Sequence, residues 1–262
     1  MDKNKAAYKL KGLPPVYCIN LDGEPERWFY METQFKYWEI ENYTRISAYD
    51  GREDDLSDII KGKYPDNMNS GEVGCVTSHL KAMKEFLKTD EPYAFIIEDD
   101  CDFDPVRYWS FTWRDVMSKI PYDFDVFQTA IINPGALFIR MHKRFVNDFS
   151  TASYVITRHH AEKLVRLHCR GQKYKLDQGS KPRAVADDLI YNSGNTFAIP
   201  LFLYKLELGS SIHDIHIHVF HKSSYEGIWQ FWRCEATNID DWNKLFDYDP
   251  YFNRIPPGFE GK

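Results

Sequence analysis

The chain has 262 residues, 43% hydrophobic and 16% aromatic, which gives one large domain or two small ones a real core and excludes a disordered chain. Its 33 Lys and Arg against 39 Asp and Glu leave a net charge of −6 with no long basic block, which argues against nucleic acid as the main partner. No stretch approaches the roughly 18 apolar residues of a membrane span, the first residues carry no apolar signal core, and five scattered cysteines form no CxxC, so a cytoplasmic, thiol-reduced protein with no membrane span is expected.

In chain order the pattern alternates strand and helix, as in an α/β layer fold. "PVYCINL" (Pro15 to Leu21) is a short apolar run and the first strand. "EPERWFYMETQFKYW" follows as a helix, with Pro25 where a missing N–H costs little. "YTRISAYDG" is a second strand, stopped by the Asp50-Gly51 turn signal. The clearest helix is "NSGEVGCVTSHLKAMKEFLKTD". Val73, Val76, Leu80, Met83 and Leu87 share one face, and Asn69 or Ser70 can cap its start. Cys75, His79, Ala82 and Phe86 form the adjoining stripe.

After Glu91-Pro92 comes a strand, Tyr93 to Ile97, which runs straight into Glu98, Asp99, Asp100, Asp102 and Asp104. "DVFQTA" and "ALFIRM" flank "IINPG" and predict a hairpin, with Gly135 at positive φ. "TASYVITRHHAEKLVRLH" predicts a strand and then a helix, and residues 171–183 a polar, basic loop. "ADDLIYNSG" is a short helix closed by Gly194. The remainder is rich in aromatics.

The acidic cluster raises the first chemical question. Two carboxylates about 4 Å apart repel by roughly 1 kcal/mol in water and by more where partly buried. Either the cluster is solvated or something positive sits in it. In an open α/β sheet, ligands bind beyond the carboxyl ends of the strands, and oxygen-rich clusters there bind Mg²⁺ or Mn²⁺. "HDIHIHVFH" offers His213, His216, His218 and His221. His216 and His218 fall on one face of a strand, as metal or phosphate ligands or as surface histidines. Cys75 and His79 also have a metal-ligand spacing, but with no second pair in the sequence nearby they read as packing. Asp187 and Asp188 at a helix start could simply favour the helix dipole. Trp229, Phe231, Trp232 and Trp242 could stack on a sugar or peptide, or pack the core.

Taken together, these segments resemble glycosyltransferase family 25, which includes bacterial lipooligosaccharide galactosyltransferases and procollagen galactosyltransferases. "VYCINLDGEPERW", with Asn20 and Arg27, is similar to its opening Ile-Asn-Leu and spaced Arg. "SAYDG" matches its second-strand Asp-Gly, and "GEVGCVTSHLKA" its Gly-Glu-x-Gly-Cys-x-x-Ser-His signature. "FIIEDD" matches its acidic motif, "ASYVITRHHAEKL" its Tyr-x-Ile strand and Ala-x-x-Leu helix, and "ADDLIY" its later Asp motif. The matches run in order from Pro15 to Ile212, and the later histidines and aromatic tail have no family counterpart.

The resemblance implies a GT-A type fold with a mixed, mostly parallel sheet between helices. Residues 1–225 would form that domain, and 226–262 an aromatic-rich extension packed on it. It further implies an inverting transfer of galactose or glucose from a UDP-sugar, with Mn²⁺ or Mg²⁺, to a glycan or to hydroxylysine of a collagen-like protein. In this reading Asn20, Arg27 and Asp50 line the nucleotide pocket, and Ser78 and His79 face the donor. Glu98 contacts the ribose or the metal, Asp100 ligates the metal, and Asp99 shapes the turn or joins in. Asp187 is the catalytic base, kept ionised by its helix start, and Asp188 the alternative. A metal-dependent hydrolase centred on His216 and His218, or a non-catalytic sugar- or peptide-binding module, are the competing readings.

Overall fold

The computed structural model describes residues 4–52, 55–133, 135, 137–176, 184–208 and 221–248. The strands are β1 (Val16–Asn20), β2 (Tyr43–Ser47), β3 (Tyr93–Glu98), β4 (Cys101–Asp102), β5 (Val126–Gln128), β6 (His142–Lys143), β7 (Ser153–Thr157), β8 (Cys169–Arg170), β9 (Lys173–Tyr174), β10 (Thr196–Ala198) and β11 (Leu203–Tyr204). The α-helices are α1 (Pro25–Tyr37), α2 (Ser70–Phe86), α3 (Trp113–Lys119), α4 (Arg158–His168), α5 (Ala186–Tyr191) and α6 (Lys222–Gln230).

A seven-stranded sheet in the order β2-β1-β3-β7-β5-β10-β6 forms the centre. β2, β1, β3, β5 and β10 run one way, and β7 and β6 run against them. It is the mixed, mostly parallel α/β sheet that the sequence predicts.

Both faces are covered, and strand periodicity divides the core between them. Val16 and Cys18 of β1, Phe95 and Ile97 of β3, and Val155 of β7 face Met31 and Phe35 of α1, Trp113 of α3 and Ile228 of α6. Tyr17 and Ile19, Ala94 and Ile96, and Tyr154 and Ile156 face the other layer, built by α2, α4 and α5. In that layer Val73, Val76, Leu80 and Met83 are fully buried, as their spacing demands. The cap of α2 is Asn69, which accepts from the Glu72 amide while Glu72 accepts from the Asn69 amide.

Two local expectations fail. The hairpin around "IINPG" does not form. β5 takes β7 and β10 as neighbours, residues 137–141 form no strand, and Ile132 bridges Phe149 instead. With both sides of β5 taken, the chain turns back on itself, and the two N–H groups of the buried Gln128 amide are shared among the carbonyls of Ala130, Asp148, Phe149 and Ser150, 3.0–3.2 Å away. The loop expected from Gly171 also begins inside a small hairpin, β8–β9, turned by Gly171 at φ +67°.

Among the aromatics, Trp232 is a core residue. It is fully buried beside Trp109 and Phe111, with its indole N–H donating 2.9 Å to the Pro200 carbonyl, so it offers no surface to a sugar. Trp232→Ala is expected to cost about 3–5 kcal/mol of stability, read from a denaturant midpoint. A loss under about 1 kcal/mol would contradict the packing described.

Candidate functional site

β1, β2 and β3 end side by side, and a crevice open to solvent lies beyond their carboxyl ends. Asn20 closes β1, residues 48–52 follow β2, and Glu98 closes β3. One wall is α2, which presents Cys75, Ser78 and His79. Of the residues predicted to serve the donor, Asn20, Arg27, Asp50, Ser78, His79, Glu98 and Asp99 all line this one crevice.

The Asp-Gly and Gly-Glu-x-Gly segments have a packing reason to occur together. A Cβ on Gly51 would sit 1.8 Å from the Ser70 carbonyl oxygen, and one on Gly74 would sit 2.5 Å from that of Tyr49. Only glycines let the loop after β2 lie directly on the start of α2. Ser78 completes the clamp: its hydroxyl accepts from the Tyr49 amide at 2.9 Å and donates to the Gly74 carbonyl at 2.7 Å. Ser78 therefore holds the wall of the crevice rather than facing a ligand.

The positive charge at Asp99 and Asp100 is Arg27. From the first turn of α1 its guanidinium grips Asp99 through Nε (2.8 Å) and Nη2, and lies 3.4 Å from Asp100. Asn20 donates to the other Asp99 oxygen at 2.7 Å and accepts from Arg45. Asp99 is thus spent on the turn, and Arg27 and Asn20 fix that turn to β1 and α1. Asp50 is engaged by Arg52, which contributes its amide and a forked guanidinium, and Arg52 itself rims the crevice. Sequence reading passed over Arg52; its position directly after Asp50-Gly51 was the signal.

Glu98 is set by a chain of hydrogen bonds. Tyr154 Oη lies 3.0 Å from His79 Nδ1, His79 Nε2 lies 3.1 Å from Glu98 Oε1, and Thr151 donates to the same oxygen at 2.6 Å. Burial pushes the Glu98 carboxyl up, but His79 and Thr151, with Arg27 farther off, outweigh it and hold the group below its ordinary range. Tyr154 and Thr151 are further residues that sequence reading left without a role.

Asp100 is the contrasting carboxylate. Burial, with Glu98 and Asp99 adding like charge against Arg27, pushes it up to about 7. Its Oδ1 is buried with no hydrogen-bond partner among the described residues. An oxygen donor left bare beside other carboxylates fits a hard divalent cation. The other predicted metal ligands, His216 and His218, lie outside the described residues, as does His213.

Asp187 and Asp188 stand in the first turn of α5, as expected. Their environments differ. Asp187 accepts from the Ser150 amide at 2.7 Å, and Ser150 is held at φ +99°, a conformation costing a non-glycine residue about 1–3 kcal/mol. Asp188 accepts from Asn192 at the far end of its own helix. The helix start is not what dominates the Asp187 charge. Burial raises its carboxyl to about 6, Arg144 and the Ser150 amide oppose, and Glu98 and Asp188 add to the rise. At neutral pH it is still ionised.

The family model for glycosyltransferase family 25, described as an LPS biosynthesis protein, matches residues 13–178, more than half of the chain. The chain belongs to glycosyltransferase family 25. Its activity class is therefore glycosyl transfer, and a GT-A type architecture agrees with the mixed sheet between helices. The matched segment contains the whole strand-end crevice and stops before Asp187, so α5 stands on its geometry.

No curated protein sequence matches the chain. Among solved structures, A197 from STIV is similar over 73% of this chain and 84% of that one, at 11% identity and a TM-score of 0.38. The nucleoside-diphosphate-sugar pyrophosphorylase from Vibrio cholerae RC9 is similar over 77% and 80%, at 10% identity and a TM-score of 0.34. Neither likeness is close enough to bear on the site. No helix among the described residues is long and apolar enough to cross a membrane.

Proposed function

We propose that this family member moves a galactosyl or glucosyl group from a UDP-sugar to an acceptor hydroxyl with inversion, and that the crevice beyond β1–β3 holds the donor. The observation that carries this reading is the convergence of four separate motifs, from β1, the loop after β2, α2 and β3, on one crevice whose lining reaches Glu98 and Asp99, next to Asp100 in the chain. The nucleoside lies against residues 48–52, and Arg52 pairs with the diphosphate. Glu98 meets the ribose with Oε2, the oxygen that His79 and Thr151 leave unused. Asp100 would hold a Mn²⁺ or Mg²⁺ ion, and His216 and His218 are the further ligands expected from sequence. When bound, that ion stabilises the charge developing on the departing diphosphate.

The chemistry left to the chain is small. Asp187 removes the proton of the acceptor hydroxyl as its oxygen bonds to the anomeric carbon, and the bond from that carbon to the diphosphate breaks on the opposite face. The acceptor is a glycan, in keeping with the family's LPS description; hydroxylysine of a collagen-like protein is the other class the resemblance implies. A panel of UDP-sugars with Mn²⁺, followed by UDP release, tests the reading. Release with UDP-galactose or UDP-glucose is expected, and no release with any UDP-sugar and a range of glycan acceptors would overturn it.

His79→Ala is expected to weaken UDP binding about tenfold, the equivalent of one hydrogen bond to a charged group, with acceptor affinity retained. Tyr154→Phe should act in the same direction and less strongly. Calorimetric titration with UDP measures both, and unchanged affinity in His79→Ala would reduce the imidazole to packing.

A further inference from the structure

Cys75 and His79 are four residues apart on α2, so their side chains share one face of the helix. Glu98 reaches the same place from the end of β3. The sulfur, one imidazole nitrogen and one carboxylate oxygen lie within 4.8 Å of one another, and the His79 Nε2 to Glu98 Oε1 distance is 3.1 Å. The surroundings suit a metal-binding imidazole. With an ion bound, an N–H at Nδ1 donates to Tyr154 Oη, 3.0 Å away, and holds the tautomer that turns the Nε2 lone pair to the ion. Thr151 in turn orients the carboxylate.

We infer that Cys75, His79 and Glu98 form a second cation site, separate from Asp100 and selective for a thiophilic divalent ion such as Zn²⁺. The donor set decides the selectivity: sulfur and nitrogen favour Zn²⁺ and Co²⁺, whereas an all-oxygen set favours Mg²⁺ and Mn²⁺. All three residues line the crevice, so three protein ligands leave a fourth position open to it. Binding is balanced by proton release. The Cys75 thiol gives its proton to solvent as the sulfur–metal bond forms, His79 moves its proton to Nδ1, and Glu98 binds as the carboxylate. Burial, with Glu98 and Asp187 adding negative charge, keeps Cys75 a thiol well above its ordinary range when no ion is present. Occupancy diverts His79 and Glu98 from the donor, so Zn²⁺ lowers transfer. That last consequence rests on the donor reading; the binding does not.

The test uses Co²⁺ titrated into the full chain in excess Mg²⁺, which saturates an oxygen site. One Co²⁺ per chain is expected, with a thiolate-to-cobalt charge-transfer band in the near ultraviolet and one proton released per ion. Cys75→Ser should abolish the band, Asp100→Asn and Cys234→Ser should keep it, and Tyr154→Phe should weaken binding by about 10–100-fold. Absence of the band at saturating Co²⁺, or its survival in folded Cys75→Ser, overturns the site. Protection of Cys75 from alkylation by Zn²⁺, mapped by mass spectrometry on the wild-type chain, needs no variant; an unprotected Cys75 also overturns it. Cobalt binding with no UDP-sugar turnover would count against the donor reading alone.

Discussion

Asp187→Asn lowers kcat by about two orders of magnitude or more while UDP-sugar affinity stays within about twofold, the size expected when a general base is lost and the donor contacts remain. Asp188→Asn changes kcat little, because its carboxylate is turned to Asn192 on the outer side of α5. The pH profile gives an independent check. A base must be unprotonated, so kcat/KM falls as pH drops through about 6, the value to which burial lifts Asp187 against Arg144 and the Ser150 amide. The residual activity of Asp187→Asn should lack that acid limb. If Asp188→Asn carries the loss instead, the two roles exchange; if neither does, the base is not on α5.

Removal of divalent metal has the second large effect. EDTA is expected to abolish transfer, and Mn²⁺ to restore it. Asp100 is a carboxylate with a bare buried oxygen next to Glu98 and Asp99, and Arg27 is already committed to Asp99. A diphosphate brought to that place would meet charge of its own sign. Asp100→Ala should fold and lose activity. Added Mn²⁺ should raise the unfolding temperature of the wild type and not of the variant, since a ligand that binds only the native state stabilises it. Full activity in a metal-stripped sample contradicts the assignment.

What could be read from sequence follows the range of the interactions. β1, β3, α1 and α2 were legible because their apolar patterns are local: β1 and β3 are apolar runs buried on both faces, and α1 and α2 each bury one face. The two-residue strands β4 and β11 carry no such pattern; they exist because the turn at Asp99–Asp100 brings Cys101 beside Tyr204. The hairpin at "IINPG" failed for the same reason: local turn chemistry was present, but β7 and β10 took both sides of β5.

The site divides the same way. The motif residues did gather at one crevice, yet their partners are long-range. Arg27 answers the acidic cluster across 72 residues of chain, and His79 is joined to Tyr154 across 75. Asp187 is ionised at neutral pH as its sequence suggests, but its rise to about 6 was not legible, because desolvation depends on what packs around it rather than on its place in a helix. Cys75 was set aside for want of a second ligand pair, and Glu98 supplies the missing ligand from another element.

The most direct measurement is a crystal structure with UDP and Mn²⁺ bound. UDP is expected in the crevice between residues 48–52 and Glu98, with the manganese anomalous peak beside Asp100. UDP bound elsewhere on the chain, or a manganese peak remote from Asp100, would contradict the account.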